Sequence, residues 1–150
     1  MAPEPGDVVL PALLRAARGS YGAAIRARLA EGGFDDMPRN GPYVLGGLVN
    51  HGGAARQLVR ELGVGKQAAG QLVDTLVARG YLTREPDSDV TATERGRAAA
   101  AAIRAAVTSV DDELATLVTP AELAGLRAGL VALTEIRERL EDVERRSAVD

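Results

Sequence analysis

The sequence from residue 54 to residue 73 reads AARQLVRELGVGKQAAGQLV. It contains a short segment with helical apolar spacing, a turn at Gly63-Val64-Gly65, and a second such segment that opens at Lys66. Glycine supplies the left-handed backbone that ends a helix, and Val64 is placed to fill the space between the two helices. Two helices joined by such a turn predict a helix-turn-helix, which projects its second helix from the fold.

The second helix of this motif, predicted from Lys66 to Arg79, opens with a polar face. Lysine can bond to guanine or phosphate, and glutamine can pair with adenine, so this face predicts contact with base edges in the major groove. Glycines within it would let the DNA backbone approach closely. A solvated surface is the alternative explanation, and the residues alone leave both open. The candidate DNA-contacting residues here are Gly65, Lys66, Gln67, Gly70 and Gln71.

Helical periodicity also predicts elements before and after the motif. We expect three helices ahead of the reading helix, approximately at residues 8–30, from Pro42 to before Gly52, and at residues 54–62. Two short segments, 81–84 and 90–92, are rich in β-branched or aromatic residues and flank turn-forming residues, which predicts a two-stranded ribbon. The fold class predicted is therefore mainly α with a small β-ribbon.

Two long helices are predicted after the ribbon. Thr93 can cap the first of them, which runs to Val118. The sequence Thr119-Pro120-Ala121-Glu122 combines a capping threonine, a first-turn proline and a glutamate, and predicts the start of the second. The apolar stripe of this last helix comprises Leu123, Leu126, Leu130, Leu133, Ile136, Leu140 and Val143.

These apolar stripes are larger than a small lone domain could cover. Because exposed apolar stripes usually mark partner sites, we favour a homodimer over an intramolecular pair of amphipathic helices. The predicted organisation has an N-terminal dimerisation helix at 1–34, a DNA-binding domain at 35–97, and C-terminal dimerisation helices at 98–150.

Composition excludes several classes of protein. The 150 residues contain no cysteine, which rules out disulfides, thiol chemistry and cysteine-ligated zinc. Neither a membrane-spanning run nor a signal peptide is visible, so we expect a cytoplasmic protein. His51 is the only histidine, and we interpret it as a helix-end residue. No nucleophile–base pair or metal-ligand spacing is present, so we expect no enzyme, no metal and no cofactor.

The charge distribution adds a modest indication. The chain has a net charge of -3, but residues 52–97 carry seven Lys or Arg and six Asp or Glu, a net of +1. Attraction to phosphate must then come from where the charges lie. Arg56, Arg84 and Arg97 are candidate phosphate contacts, whereas we favour a surface ion pair for Arg60. Asp74 would repel DNA if unpaired, so we expect it to bind an arginine near the base of the ribbon.

The chain resembles the multiple antibiotic resistance regulator (MarR) family of winged-helix proteins. The resemblance covers nearly the whole chain and is carried by residues 62–76, by Arg79-Gly80-Tyr81-Leu82, by residues 93–97, and by the segments 33–36 and 38–43. It implies a homodimer whose first and last helices interlock, with one winged helix on each side. It also implies repression at pseudo-palindromic sites in double-stranded DNA and, in many members, release of DNA when a small-molecule effector binds.

The sequence departs from the family in two places. Gly65 stands where members usually have serine or threonine to cap the reading helix, which weakens the cap slightly. The ribbon lacks the family's Asp-Arg-Arg stretch, and its tip, residues 86–89, carries two acids and no base. We therefore expect a short wing with little minor-groove contact. This favours an alternative function, in which a winged-helix dimer with weakened DNA binding acts through protein partners or ligand sequestration.

The resemblance also places an effector pocket where the first helix meets the second. The polar and aromatic residues available there are Arg15, Arg18, Tyr21, Tyr43 and His51. We interpret the two tyrosines as core residues and the arginines as surface pairs. No ligand-binding residue is therefore predicted, and the effector stays unidentified.

Overall fold

The computed structural model describes Gly6, residues 8–87 and residues 89–148, apart from the side chains of Arg56 and Val59. Over these residues the chain is mainly helical and contains one antiparallel ribbon. It divides into two compact units, Met1–Val110 and Asp111–Asp150. The elements are α1 (Leu10–Glu31), α2 (Gly41–Asn50), α3 (Ala55–Glu61), α4 (Lys66–Ala78), β1 (Leu82–Arg84), β2 (Val90–Ala92), α5 (Glu94–Leu117) and α6 (Pro120–Ser147).

The core of the first unit joins one residue of α1 to residues of α2, α4, the ribbon and α5. Burial of their apolar surface is the main force that holds these elements together. Tyr81 is the largest side chain among the fully buried ones. The core residues are Leu29, Val44, Leu45, Leu76, Tyr81, Leu82, Ala99, Ala100 and Ile103.

Glycines allow α2 and α3 to pack closely. A methyl group at Gly47 would lie 2.5 Å from Leu58 Cδ2, and one at Gly53 would lie 3.2 Å from the same atom. Leu58 of α3 therefore packs onto backbone that carries no side chain. This close packing fixes the first helix of the helix-turn-helix on the helix before it.

The turn between α3 and α4 has the geometry that the sequence predicts. Gly63 has a φ of 69°, a left-handed conformation that glycine adopts without strain. Val64 packs against the core, as do Ala55 and Ala69 on the two helices. Gly65 precedes α4 with extended backbone and offers no side-chain cap.

The ribbon is short and is fixed firmly at its base. Each strand has three residues, and Leu82, Thr83 and Arg84 pair with Ala92, Thr91 and Val90 respectively. A methyl group at Gly96, in the first turn of α5, would lie 2.0 Å from the Tyr81 carbonyl oxygen. Only glycine permits this approach of α5 to the chain entering β1.

The helices α5 and α6 differ in burial. The buried residues of α5 are Gly96, Ala99, Ala100, Ile103 and Ala106, whereas no residue of α6 is buried. The predicted capping box at Thr119 is present: its side chain accepts from the Glu122 amide, and the Glu122 carboxylate accepts from the Thr119 amide.

The predicted fold class, a mainly helical winged helix-turn-helix with a small ribbon, is confirmed. Each helix end lies within two residues of its predicted position where a position was given. The assignment of 1–34 and 98–150 to dimerisation stays a prediction.

Candidate nucleic-acid interface

The first two turns of α4 present the predicted reading face to solvent. Lys66, Gln67 and Gln71 are exposed, and their side chains have no hydrogen-bond partner among the residues that the structure describes. A methyl group at Gly65 or Gly70 would meet no atom within 4 Å. The fold itself therefore does not require glycine at these two positions, and the space over them is open to a ligand.

The opposite side of α4 holds the helix in the fold. Leu76 is fully buried, and Ala69, Leu72, Val73 and Val77 pack against the core. Because these residues recur at spacings of three or four, they lie on one face and leave the polar face outward. The helix is thus anchored from behind while its amino-terminal polar face stays free.

The predicted phosphate contacts have different surroundings. The Arg84 guanidinium donates to the Asp74 carboxylate, which joins β1 to α4. Asp74 thus pairs with an arginine, as predicted, but Arg84 is the last residue of β1 and lies at the turn end of the ribbon rather than at its base. Arg97 donates to the Ala92 carbonyl oxygen over 2.8 Å and is otherwise exposed. The side chain of Arg56 lies outside the described residues.

The predicted ion pair of Arg60 is not found within the described part of the chain. Arg60 is exposed on α3, while its neighbour Glu61 accepts from the Tyr43 hydroxyl and from Gln57. These two neutral donors occupy the carboxylate of Glu61, which neighbours Arg60 along the chain. Arg60 thereby joins the exposed cations near α4.

The tip of the ribbon is acidic and tightly turned. The Glu85 amide donates to the Asp89 carbonyl oxygen over 2.7 Å, and the Asp89 amide donates to the Asp87 carboxylate over 3.1 Å. Glu85, Asp87 and Asp89 are all exposed. A phosphate near this tip would be repelled, because like charges at short range disfavour each other.

A polar junction that the sequence reasoning missed fixes the base of the ribbon. The Tyr81 hydroxyl donates to Asp36 Oδ1 over 2.5 Å, and Arg95 Nη2 donates to the same oxygen over 2.9 Å. The hydroxyl of Tyr81 and the guanidinium of Arg95 lower the pKa of Asp36. Burial, and the bond to Asp36, raise the pKa of Tyr81 to about 12.

No sequence pattern indicated this junction, because its members lie far apart along the chain and only folding brings them together. The signal that could have indicated the junction is the segment Gly33-Phe34-Asp35-Asp36, which contributes to the family resemblance.

An open cleft of about 1450 Å³ lies within the first unit, between α1, α2, the α1–α2 loop and α5. Its lining has an excess of positive charge, with five arginines against Asp35 and Glu61. The arginines are Arg15, Arg18, Arg26, Arg39 and Arg104. Apolar side chains, including Ile25, Phe34 and Met37, line the rest.

The cleft changes the interpretation of the five residues considered for an effector pocket. Arg15, Arg18, Tyr21, Tyr43 and His51 all line it. The prediction that Tyr43 is a core residue is wrong, since the side chain is 44% exposed. Pro42 and Tyr43 lie in the first turn of α2, at the cleft wall, rather than on the helix face that carries the buried Val44 and Leu45. His51 caps the carboxyl end of α2, as predicted.

Comparison with known protein families gives one match for the part of the chain that carries this geometry. A model described as the MarR family matches residues 35–90, which run from the α1–α2 loop to the second strand of the ribbon. Over this segment the chain is similar to the MarR family.

Solved structures share this fold. RV1404 from Mycobacterium tuberculosis is 29% identical and has a TM-score of 0.61, with 91% of this chain and 97% of that chain covered. The MarR-family protein Rv2887 of the same organism, in a complex with DNA, is 22% identical and has a TM-score of 0.59, with 85% and 98% covered. In the structure of Rv2887 with salicylic acid, the protein is 24% identical to this chain and has a TM-score of 0.57, with 85% of this chain and 97% of that chain covered.

A comparison with curated protein sequences gives no significant match. Across the described residues, no helix has the length and apolar character needed to cross a membrane.

Proposed function

We propose that this chain is a cytoplasmic transcriptional regulator of the MarR family that binds double-stranded DNA as a homodimer and represses at pseudo-palindromic sites. The observation that carries the proposal is the face of α4 at Lys66, Gln67, Gly70 and Gln71. It is exposed, its side chains make no hydrogen bond to the described residues, and the opposite side of α4 packs against the core. Lysine and glutamine on a projecting helix are suited to reading base edges in a major groove.

A homodimer is supported by apolar surface that the chain leaves uncovered. Val9, Leu10, Leu13 and Leu14 are exposed at the start of α1. On α6 the exposed apolar residues are Leu126, Leu130, Val131, Leu133, Ile136, Leu140 and Val143. Because a two-fold interface is self-complementary, a second copy of the chain can cover both faces. Two copies of α4 would then face adjacent turns of one duplex.

Selection of bound fragments from a random DNA pool tests the proposal directly. We expect paired, inverted half-sites separated by about one helical turn. Recovery of unpaired sites, or of no enriched sequence, would contradict dimeric reading. The selected duplex then serves for the measurements on variants.

Substitutions in α4 test which residues read the DNA. Lys66→Ala and Gln67→Ala should each weaken binding of the selected duplex by about tenfold, since one good base contact contributes about 1–3 kcal/mol of discrimination. Arg28→Ala is the matched control. It removes one exposed positive charge from α1, where Arg28 only approaches Glu31 at 3.8 Å, and should leave binding unchanged.

Gly70→Ala gives a test with opposite signs for stability and binding. Alanine in a helix interior is more stable than glycine by about 0.5–1 kcal/mol, and open space surrounds this position. We expect a higher melting temperature and weaker DNA binding. A damaged fold could not produce both effects, and unchanged DNA affinity would show that the backbone at Gly70 does not approach the duplex.

The second candidate function is a winged-helix dimer with weak DNA binding that acts through protein partners or ligand sequestration. The acidic ribbon tip favours it. Asp87→Arg should strengthen DNA binding and steepen its salt dependence by about one phosphate contact, whereas Asp87→Asn, which only removes the acid, should strengthen it less. Equal affinity and equal salt dependence in the wild type and Asp87→Arg would show that the tip does not lie near DNA.

The cleft supports a small-molecule effector that is anionic and partly apolar. Its arginines outnumber its acids, and Phe34, Met37 and Ile25 offer apolar contact. Salicylate is a suitable probe, because Rv2887 has been crystallised with salicylic acid. We expect salicylate to bind and to weaken DNA binding, and salicylamide, its neutral analogue, to bind more weakly. Equal affinity for both compounds would contradict recognition of the negative charge.

A further inference from the structure

The loop between α1 and α2 has side chains on two different surfaces. Phe34, Asp35, Met37 and Pro38 line the cleft. Asp36, in the middle of them, instead accepts hydrogen bonds from Tyr81 and Arg95. The same short segment therefore forms part of the cleft wall and contacts the base of the ribbon.

The groups that bind Asp36 stand at three critical points of the DNA-binding part. Arg79 is the carboxyl cap of α4, and its guanidinium donates to the Asp36 carbonyl oxygen. Tyr81 directly precedes β1, and Arg95 lies in the first turn of α5. The end of the reading helix, the entry to the ribbon and the start of α5 thus meet at one residue of the loop.

Contacts among the three groups make the junction a single unit. The Arg95 guanidinium lies 4.2 Å from the centroid of the Tyr81 ring, and it also donates to the Arg79 carbonyl oxygen. The Phe34 ring lies 6.2 Å from the Tyr81 ring. A displacement of the loop would therefore be transmitted to both α4 and the ribbon, because the packed rings and bonded groups cannot move independently.

We propose that Asp36 is a positioning residue that links the cleft to the reading helix and the ribbon. This inference rests on the proposed function, in which α4 binds DNA and the cleft binds an effector. A ligand seated against Phe34 and Met37 shifts the loop, and Asp36 transmits the shift through Arg79, Tyr81 and Arg95. Removal of the Asp36 carboxylate disconnects the two sites without removing a lining side chain from the cleft.

The test measures coupling rather than binding alone. The affinity for the selected duplex is measured with and without saturating salicylate in wild type, Asp36→Asn and Arg95→Gln, and salicylate binding is measured separately without DNA. Glu31→Gln is the matched control, since it neutralises an exposed acid at the end of α1, outside the junction and the cleft lining. Hydrogen exchange of residues 79–96 is followed in the same variants without ligand.

We expect the salicylate effect on DNA affinity to fall by about fivefold or more in Asp36→Asn and in Arg95→Gln, a change within the usual range of coupling between sites. Salicylate affinity without DNA should stay within about twofold of wild type. Residues 79–96 should exchange faster in both variants, and Glu31→Gln should match the wild type throughout.

Two results would overturn the link. One is a loss of DNA affinity by the same factor with and without salicylate, which marks Asp36 as merely structural. The other is unchanged exchange of residues 79–96 in both variants. Failure of the proposed function would give a different result. The wild type itself would bind no duplex, or salicylate would leave its DNA affinity unchanged. In that case the exchange measurement still decides whether Asp36 positions the junction.

Discussion

The helices α5 and α6 are alike in sequence pattern and different in surroundings. Both are long, with 24 and 28 residues, and both carry an apolar stripe. The first half of α5 packs within the chain, where Asn50 Nδ2 donates to the Ala100 carbonyl oxygen over 3.1 Å. In α6, four of the five leucines are exposed, and Leu123 is half-buried. An amphipathic pattern therefore predicts that a face will be covered, but not by which partner.

The size of the apolar residues distinguishes the two helices. Most buried residues of α5 are glycine or alanine, and a methyl group at Gly46 of α2 would lie 3.5 Å from Ile103 Cγ2. Small residues let two helices of one chain approach closely. The stripe of α6 consists of leucine, isoleucine and valine, which present more apolar area per residue. We infer that α5 is built to pack within its own chain and α6 to meet a second copy.

The largest effect is expected for a substitution that disrupts the proposed interface on α6. Leu130 is 40% exposed, so a glutamate there is tolerated in a lone chain but places a charge inside a two-fold interface. We expect Leu130→Glu to raise the dimer dissociation constant about a hundredfold or more, since an unpaired buried charge costs several kcal/mol. Light scattering over a dilution series measures it, and DNA binding should weaken in parallel.

Ala128→Glu is the matched control for Leu130→Glu. It adds the same charge to the same helix, about 200° around the axis from Leu130. Ala128 is exposed, and this variant should keep the wild-type dissociation constant. If the two glutamates act equally, or if the wild type itself has the mass of a lone chain, α6 does not form the interface.

A pair of identical substitutions separates burial within the chain from burial between chains. Ile103 on α5 is 5% exposed and Ile136 on α6 is 43% exposed. Ile103→Ala should lower the free energy of unfolding by about 2 kcal/mol or more at every protein concentration. Ile136→Ala should lower it by an amount that depends on concentration, because the lost contacts belong to the dimer. Chemical denaturation at two concentrations tests this, and a concentration-independent loss in both would contradict the distinction.

Much of the fold could be predicted from local signals in the sequence. Gly63 and Gly80 end their helices in left-handed conformations, and Thr119 and Glu122 form the capping box that their spacing predicted. These features depend on residues within a few positions of one another. The short ribbon was also predictable, because few residues separate the two β-branched segments.

The site was predictable where it lies on one element or on elements that are neighbours along the chain. The exposed polar face of α4 follows from helical spacing. The pairing of Asp74 with an arginine, which is Arg84 in the structure, was expected from the need to neutralise an acid on a helix predicted to bind DNA. The junction at Asp36 was not predictable, because Asp36, Tyr81 and Arg95 approach one another only after the core forms. The cleft was underestimated for the same reason: its arginines come from α1, from the loop between α1 and α2, and from α5.

The comparison of α5 with α6 extends to the contacts that hold the start of each helix. A substitution of Tyr81 tests the start of α5. The start of α5 is held by tertiary contacts, in which Arg95 and Tyr81 meet at Asp36. We expect Tyr81→Phe to lower the free energy of unfolding by about 1 kcal/mol near neutral pH through loss of this hydrogen bond. Because the pKa of Tyr81 is raised from 10.0 to about 12, the wild-type advantage is complete below pH 10 and declines as the pH rises toward 12.

Denaturation of wild type and Tyr81→Phe from pH 8 to pH 12, an interval set by the pKa of a free tyrosine, measures this advantage as a difference curve. Other titrating groups cancel in the difference. Parallel stability curves over the whole interval would contradict a hydroxyl held in its protonated form by burial and by Asp36.

The start of α6, in contrast, is held only by local contacts, and this gives the smallest expected effect. Thr119→Ala removes the side chain that accepts from the Glu122 amide over 3.2 Å, and should destabilise by about 0.5–1 kcal/mol. Thr116→Ala, which removes a hydroxyl bonded to the Glu113 carbonyl oxygen inside α5, should have little effect.

The capping contribution of Glu122 depends on pH. The Thr119 amide and hydroxyl lower the pKa of Glu122, so its contribution to stability is complete above pH 4.5, the ordinary pKa of a glutamate, and is lost as the pH falls below that value. Thr119→Ala should weaken the dimer, because it loosens the start of α6, the helix proposed to form the interface. It should leave the hydrogen exchange of residues 79–96 unchanged, because no core residue of the first unit contributes to this cap. Faster exchange there would show that the two helix starts are not independent.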